Sequence, residues 1–231
     1  MLDKEIFKPK FGNWWEKIEP FFHLLEPIYK KLKEDSASMK RIFPTYTDTF
    51  KAFEKTDFNN LKAVVVGICP YHTKKFDGTV IADGIALSCS KTGELQPSLK
   101  NWYKAMKKEF PSAEFQEKAD LSYLAENGVL MYNFALTVEN RKPLIHNDLW
   151  EPFTKALFEQ VISNTGVPVI FMGKECHKAA KWLAPFQWNF CISHPASAAY
   201  SGDEWNSEGA FKKVSVIIKD NTGIDFNWLP S

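Results

Sequence analysis

The chain has 231 residues, of which 45% are hydrophobic, enough to bury a full core and closer in length to one large domain than to two. Lys and Arg number 29 against 28 Asp and Glu, a formal net charge of +1, so bulk attraction to a polyanion is excluded and any nucleic-acid contact must come from local placement of basic groups. The four cysteines, Cys69, Cys89, Cys176 and Cys191, form no CxxC pair, which argues against a zinc ribbon, a thioredoxin motif or an iron–sulfur site. No metal or other cofactor is expected. The N-terminus lacks the apolar core of a signal peptide and no uncharged apolar run reaches spanning length, so a cytoplasmic protein without membrane contact is expected, or one in the host cytoplasm or nucleus if the source is viral or eukaryotic.

Residues 13–34 carry Trp14, Ile18, Phe21, Phe22, Leu25, Ile28, Tyr29 and Leu32 at roughly helical spacing. Pro20 and Pro27 should divide this stretch into two or three short helices whose aromatic stripe is core. Arg41-Ile42-Phe43-Pro44 reads as a turn into a short helix over 47–54, capped by Thr47 or Asp48. A strand over 61–66 then delivers Gly67-Ile68-Cys69-Pro70-Tyr71-His72, a rigid loop carrying a thiol, a phenol and an imidazole.

Residues 73–83 form a polar excursion in which Asp77-Gly78 can turn a hairpin, followed by the short apolar segment Gly84 to Ser88. Gln96-Pro97-Ser98 opens a helix running from Leu99 to Lys108, with Ser98 as its cap and Leu99, Trp102, Tyr103 and Met106 on one face. Asn127-Gly128 ends another helix, and the strand 129–133 closes in Asn133. A helix is expected over 150–161, strands over 167–172 and 190–193, and a last helix over 211–219 despite its β-branched Val214, Val216, Ile217 and Ile218.

Strands alternating with helices imply an α/β fold, a mainly parallel four-stranded sheet with helices on both faces. Every side chain with chemical potential then falls just past a strand on one edge of that sheet, where ligands bind in such folds. Taken singly each has a plain explanation: a histidine after a strand is commonly structural, and a strand-terminal asparagine commonly forms a turn. Their recurrence at successive strand ends is what points to a site.

The motifs Pro97-Ser98-Leu99-Lys100-Asn101-Trp102-Tyr103-Lys104 and Gly128 to Val138, together with Gly67 to His72, Gly84 to Ser88, Val169 to Gly173, His194 to Tyr200 and Ile224 to Trp228, run in the order found in family 1 uracil-DNA glycosylases, which the chain resembles over most of its length. The resemblance implies a single three-layer α/β/α domain, 1–231, that hydrolyses the glycosidic bond of uracil in DNA. Its expected partner is uracil-containing DNA, single-stranded or duplex, with a replication or repair protein as a further partner and the enzyme itself a monomer. A target base must leave the stack and enter a pocket that stabilises both the departing pyrimidine anion and the cationic sugar.

By the same resemblance, His194 hydrogen-bonds the developing anion, Asn133 reads the uracil edge, and Tyr71 occupies the space of a 5-methyl group. His72 lies near the water and a phosphate, while Ser98 and Gly173 belong to phosphate-gripping loops. Several positions depart from the family pattern. Ile68 and Cys69 replace Gln and Asp in the Gly-Gln-Asp-Pro-Tyr-His loop, Leu87 replaces a stacking Phe, Ala196 a phosphate-binding Ser, and Ala198 a wedging Leu; Lys174 stands beside Gly173 where Ser is usual. Ser197 lies within the same DNA-facing loop.

The missing Asp removes the group that orients water. A thiolate at Cys69 would need a cationic neighbour such as a protonated His72, and Asp77 or Asp83 could return a carboxylate from the longer loop. Two other readings stay open on the sequence: a catalytically impaired protein of this fold serving as a DNA-binding or replication accessory factor, and a cysteine-nucleophile enzyme using Cys69 and His72.

Overall fold

In a computed structural model, residues 2–201 and 204–230 are described. The elements follow in the order α1 (Lys4–Phe11), α2 (Trp15–Ile18), α3 (Leu25–Ala37), β1 (Ile42–Phe43), α4 (Lys51–Lys55), β2 (Ala63–Gly67), α5 (Pro97–Glu109), α6 (Ser122–Glu126), β3 (Val129–Asn133), β4 (Val138–Glu139), α7 (Asn147–Gln160), β5 (Val169–Met172), α8 (Lys174–His177), β6 (Asn189–Ile192), α9 (Ala196–Ser201) and α10 (Ala210–Thr222). Short 3₁₀ turns join several of them. Among the described residues no helix is long and apolar enough to cross a membrane.

The main sheet is parallel, in the order β3-β2-β5-β6, as the alternation of strands and helices implies. Strands β2, β3 and β5 read as near-continuous apolar runs because both faces are covered, whereas the edge strand β6 is largely exposed. Val66, Tyr132 and Phe171 are neighbours on one face. There the Tyr132 ring meets Phe53 of α4 and Phe158 of α7 at centroid distances of 5.8 and 6.1 Å. The Tyr132 hydroxyl lies 2.7 Å from that of Thr154, which in turn donates to the Phe134 carbonyl at 2.8 Å, so α7 is pinned to the sheet by hydrogen bonds as well as by packing. On the other face Val65, Met131 and Ile170 are fully buried. Helices α5 and α10 join the same core through Trp102, Phe211 and Trp228.

The N-terminal aromatic stripe is core, as its spacing predicts: Trp14, Ile18, Phe21, Phe22, Leu25 and Ile28 are buried. Pro20 sits at the start of a 3₁₀ stretch and Pro27 in the first turn of α3, so both occupy positions where a missing N–H costs nothing. The β-branched run at the C-terminus forms α10, because Val214 and Ile218 share its buried face.

Three expectations fail locally. The segment 41–44 is a short strand rather than a plain turn, with Ile42 and Phe43 paired antiparallel to Glu139 and Val138. The following helix begins only at Lys51, and neither Thr47 nor Asp48 caps it, since the Asp48 carboxylate is held by Lys91 and by the Thr45 hydroxyl. Ser98 likewise does not cap α5. Pro97 takes the first helical position and Gln96 the extended cap position, leaving Ser98 inside the first turn.

Gly84, which enters the loop beside the pocket described below, has φ +92°, and a Cβ there would fall 1.8 Å from the Asp48 carbonyl oxygen. Gly84→Ala is therefore expected to destabilise the fold by more than about 3 kcal/mol, lowering the melting midpoint by roughly 6 °C or more, measurable by thermal denaturation.

Candidate active site

The parallel register aligns Gly67 with Asn133 at the carboxyl ends of β2 and β3. A Cβ on residue 67 would lie 2.8 Å from Asn133 Oδ1, so glycine is what makes room for the amide. From this edge a cavity of about 510 Å³ opens, within the range of small-molecule sites. Ile68, Cys69, Tyr71 and His72 line it from the loop after β2, Leu87 from the segment 84–88, Ser98 from the start of α5, Asn133 from β3, and His194 and Ala196 from beyond β6. Among the described residues no carboxylate lines it. A larger groove of about 1110 Å³ beside α3 is lined by Tyr29, Leu32, Ile42 and Tyr46 and contains none of these strand-end side chains.

His194 is held by its own loop. The Ala196 N–H donates to Nδ1 at 3.1 Å, so the neutral ring carries its proton on Nε2. Burial lowers the His194 pKa to about 4, against a smaller opposing influence of Glu175, and the ring is neutral at pH 7. Asn101 of α5 donates to the Pro195 carbonyl at 2.8 Å, and Trp205 donates to the Ser193 carbonyl at 3.0 Å, which fixes the loop on both sides. Asn133 is buried, 5% exposed. The Tyr71 hydroxyl donates to the Leu87 carbonyl at 3.0 Å, and burial keeps the phenol protonated. Leu87 adopts φ +63°, an uncommon conformation for a branched side chain.

That segment hangs on Asp83. Fully buried, its carboxylate accepts from the Ile85 and Ser90 N–H groups and from the hydroxyls of Ser88 and Ser90. Asp83 thus does not return a carboxylate to the cavity, because its lone pairs are already committed. Asp77 does not either: it is exposed at the tip of the 73–83 loop and accepts from the Thr79 N–H at 2.8 Å.

Cys69 is the second correction. Burial raises its thiol pKa and Glu175 adds to the rise, outweighing a hydrogen bond with the backbone of Leu144, so the residue is a neutral thiol at physiological pH. His72 Nδ1 is buried without a hydrogen-bond partner, Cys69 included, so the two do not form a nucleophile–base pair.

The remaining candidates lie around the rim. Gly173 packs at φ +101° against Ile68 and His194, where a Cβ would meet Ile68 Cδ1 at 2.6 Å. Lys174 and Ser197 are exposed and Ala198 is buried, 8% exposed; none of the three lines the cavity. Pro143 and Leu144, which complete the wall from the loop after β4, belong to no motif read from the sequence. The positioning roles of Gly67, Asp83 and Asn101 were equally hidden, although each lies in or beside a motif.

No family model matches the chain. A uracil-DNA glycosylase of Mesomycoplasma hyopneumoniae is 32% identical over 232 residues, 99% of each chain. The chain belongs to the uracil-DNA glycosylases. A uracil-DNA glycosylase of Francisella philomiragia is 36% identical over 158 residues, 68% of each chain. The mimivirus uracil-DNA glycosylase shares the fold with a TM-score of 0.77 at 21% identity, covering 96% of this chain and 87% of that one. The Nitratifractor salsuginis protein does so with a TM-score of 0.65 at 17% identity, covering 93% and 95%. Relatives bearing the enzyme's name favour the glycosylase reading over an accessory protein. This chain's pocket sets a neutral histidine and a neutral thiol in a wall to which no carboxylate among the described residues contributes.

The lowered His194 pKa has a stability consequence. Between about pH 4 and the ordinary value of 6.5 the unfolded chain binds a proton that the folded chain does not, so this contribution is full above pH 6.5 and lost as pH falls toward 4. The midpoint of wild type is expected to drop more steeply across that window than that of His194→Asn, and the His194 ring signals in an NMR titration should stay unchanged from pH 8 to 5.5.

Proposed function

We propose that this protein hydrolyses the bond between uracil and deoxyribose in DNA, the opening step of base-excision repair, and that the cavity at the strand ends receives the extruded base. The observation that carries this reading is the convergence of Asn133, Tyr71 and a neutral, Nε2-protonated His194 on one cavity in a chain of this family.

The Asn133 amide offers one donor and one acceptor, a match for the O4 and N3–H edge of uracil and a mismatch for cytosine. The Tyr71 ring, anchored through Leu87, fills the space that the methyl group of thymine would need. As the N1–C1′ bond breaks, its electron pair leaves with the pyrimidine and spreads onto O2, where His194 Nε2–H donates a hydrogen bond. A donor already oriented in a site of low dielectric stabilises that charge without reorganising. Water adds at C1′ to complete the hydrolysis. With no carboxylate among the described lining residues, holding that water falls to the His72 ring and the Cys69 thiol.

The DNA strand runs over the first turn of α5. No side chain caps this helix, so its first-turn N–H groups and Ser98 are available to a phosphate. Gly173, Ala196 and Ser197 bring further backbone close to the strand, and Lys174 adds a point charge at the rim. Ile68 and Leu87 supply apolar walls to the base.

The test is release of uracil from single-stranded and duplex oligonucleotides, with alkali cleaving the abasic product. Wild type should exceed His194→Ala by about 10²- to 10³-fold, the usual effect of removing one anion-stabilising donor. No product above that control on either substrate ends the proposal. Cys69→Asp is expected to raise the rate about tenfold or more, and more at pH 8 than at pH 6, because burial and Glu175 also lift a carboxyl at this position.

A further inference from the structure

An enzyme that extracts a base from duplex DNA needs something to occupy the gap it leaves, and among the described side chains of the loop after His194 little serves that purpose. Ala198 is buried, and the Ser197 hydroxyl is tied to the His194 carbonyl at 2.7 Å. The loop over 73–83 carries the reverse. Phe76 is fully exposed, the most exposed of the large apolar side chains among the described residues. A bare aromatic ring in water is unfavourable and contributes nothing to this fold, since Phe76 takes no part in either core cluster.

The loop that presents Phe76 is built to hold its shape. Lys74 pairs antiparallel with Val80, the Lys75 N–H donates to the Thr79 carbonyl at 2.8 Å, and the Gly78 N–H donates to the Lys75 carbonyl at 3.0 Å. The Lys75 ammonium is tied to Glu94 at 2.6 Å, and the Asp77 carboxylate turns back onto the Thr79 N–H. Thr73 and Ala82, at the two ends of the loop, both line the cavity. Phe76 is three residues from Thr73, at most about 10 Å of extended chain, which spans about three base-pair steps of 3.4 Å.

We propose that Phe76 is the residue that enters the duplex beside the extruded uracil, stacking on the bases flanking the gap in place of a wedge from the loop after His194. The inference rests on the glycosylase reading of the cavity. Duplex DNA fits these observations better than a protein partner because the loop that presents the ring begins and ends on residues lining the base pocket and carries Lys74 and Lys75 beside Phe76, and because the uncapped start of α5 lines the same pocket. Stacking on an aromatic ring is tolerant of sequence, as a glycosylase that meets uracil in any context requires.

Phe76→Ala should leave the melting midpoint unchanged and lower uracil release from duplex DNA by about tenfold, within the range of one base–aromatic stack, while release from single strands stays within about twofold. Phe76→Trp should keep the duplex rate. A duplex carrying 2-aminopurine next to a non-cleavable uracil analogue reads the same step by fluorescence: the unstacking signal on binding should be lost in Phe76→Ala and kept in Phe76→Trp. Equal losses on both substrates, or no loss on either, overturn the inference. So does a duplex-specific loss in Leu144→Ala or Tyr200→Ala with none in Phe76→Ala. If wild type releases no uracil from either substrate, the glycosylase reading has failed, and the fluorescence signal still decides whether Phe76 enters the duplex.

Discussion

The pocket depends on a missing methyl group. Parallel pairing of β2 with β3 brings Gly67 level with Asn133, and only an absent side chain at 67 lets the amide lie across the end of the neighbouring strand. Side-chain periodicity in a sheet is two, so a slip of one residue in this register would turn Asn133 into the core and bring Tyr132, now tied to Thr154, to the edge. The hydrogen bonds that hold α7 to the sheet and the apolar contacts of Val66, Tyr132 and Phe171 thus protect the register on which the site depends.

Electrostatics follow from the same burial. A histidine removed from water loses its proton, and the Ala196 N–H selects the nitrogen left without one, so His194 faces the cavity as a neutral donor. A thiol removed from water keeps its proton, so Cys69 enters the same space uncharged. The Asp83 carboxylate beneath this region is spent on four donors and serves as the post on which the Leu87 loop is hung. Hydrogen bonds to an ionised group in a dry site are among the stronger ones available, and here they fix the wall rather than attack the substrate.

Much of this arrangement was legible in the chain. The apolar runs ending at Gly67, Asn133 and Met172 announce buried parallel strands, and the position of Tyr71, His72, Asn133 and His194 at or just past strand ends announces a shared edge. What the sequence left undecided concerns groups whose role depends on how the backbone folds around them. Asp83 was open as a returning catalytic carboxylate, and only the hydroxyls of Ser88 and Ser90 folding over it remove that choice. Ser98 read as a cap until Pro97 claimed the first turn, and Asp48 until Lys91, 43 residues away, took its carboxylate.

The amino-acid order by itself determined the class of fold, the number of strands in the sheet, and which side chains gather at its carboxyl edge, because local periodicity and strand-ending residues are short-range properties. Only the tertiary structure decided the protonation of His194 and Cys69, the commitment of Asp83, and the outward stance of Phe76. Desolvation and exposure are set by packing from the whole chain, and whether a nearby hydroxyl or amide turns onto a carboxylate or a ring depends on the path the backbone takes between them.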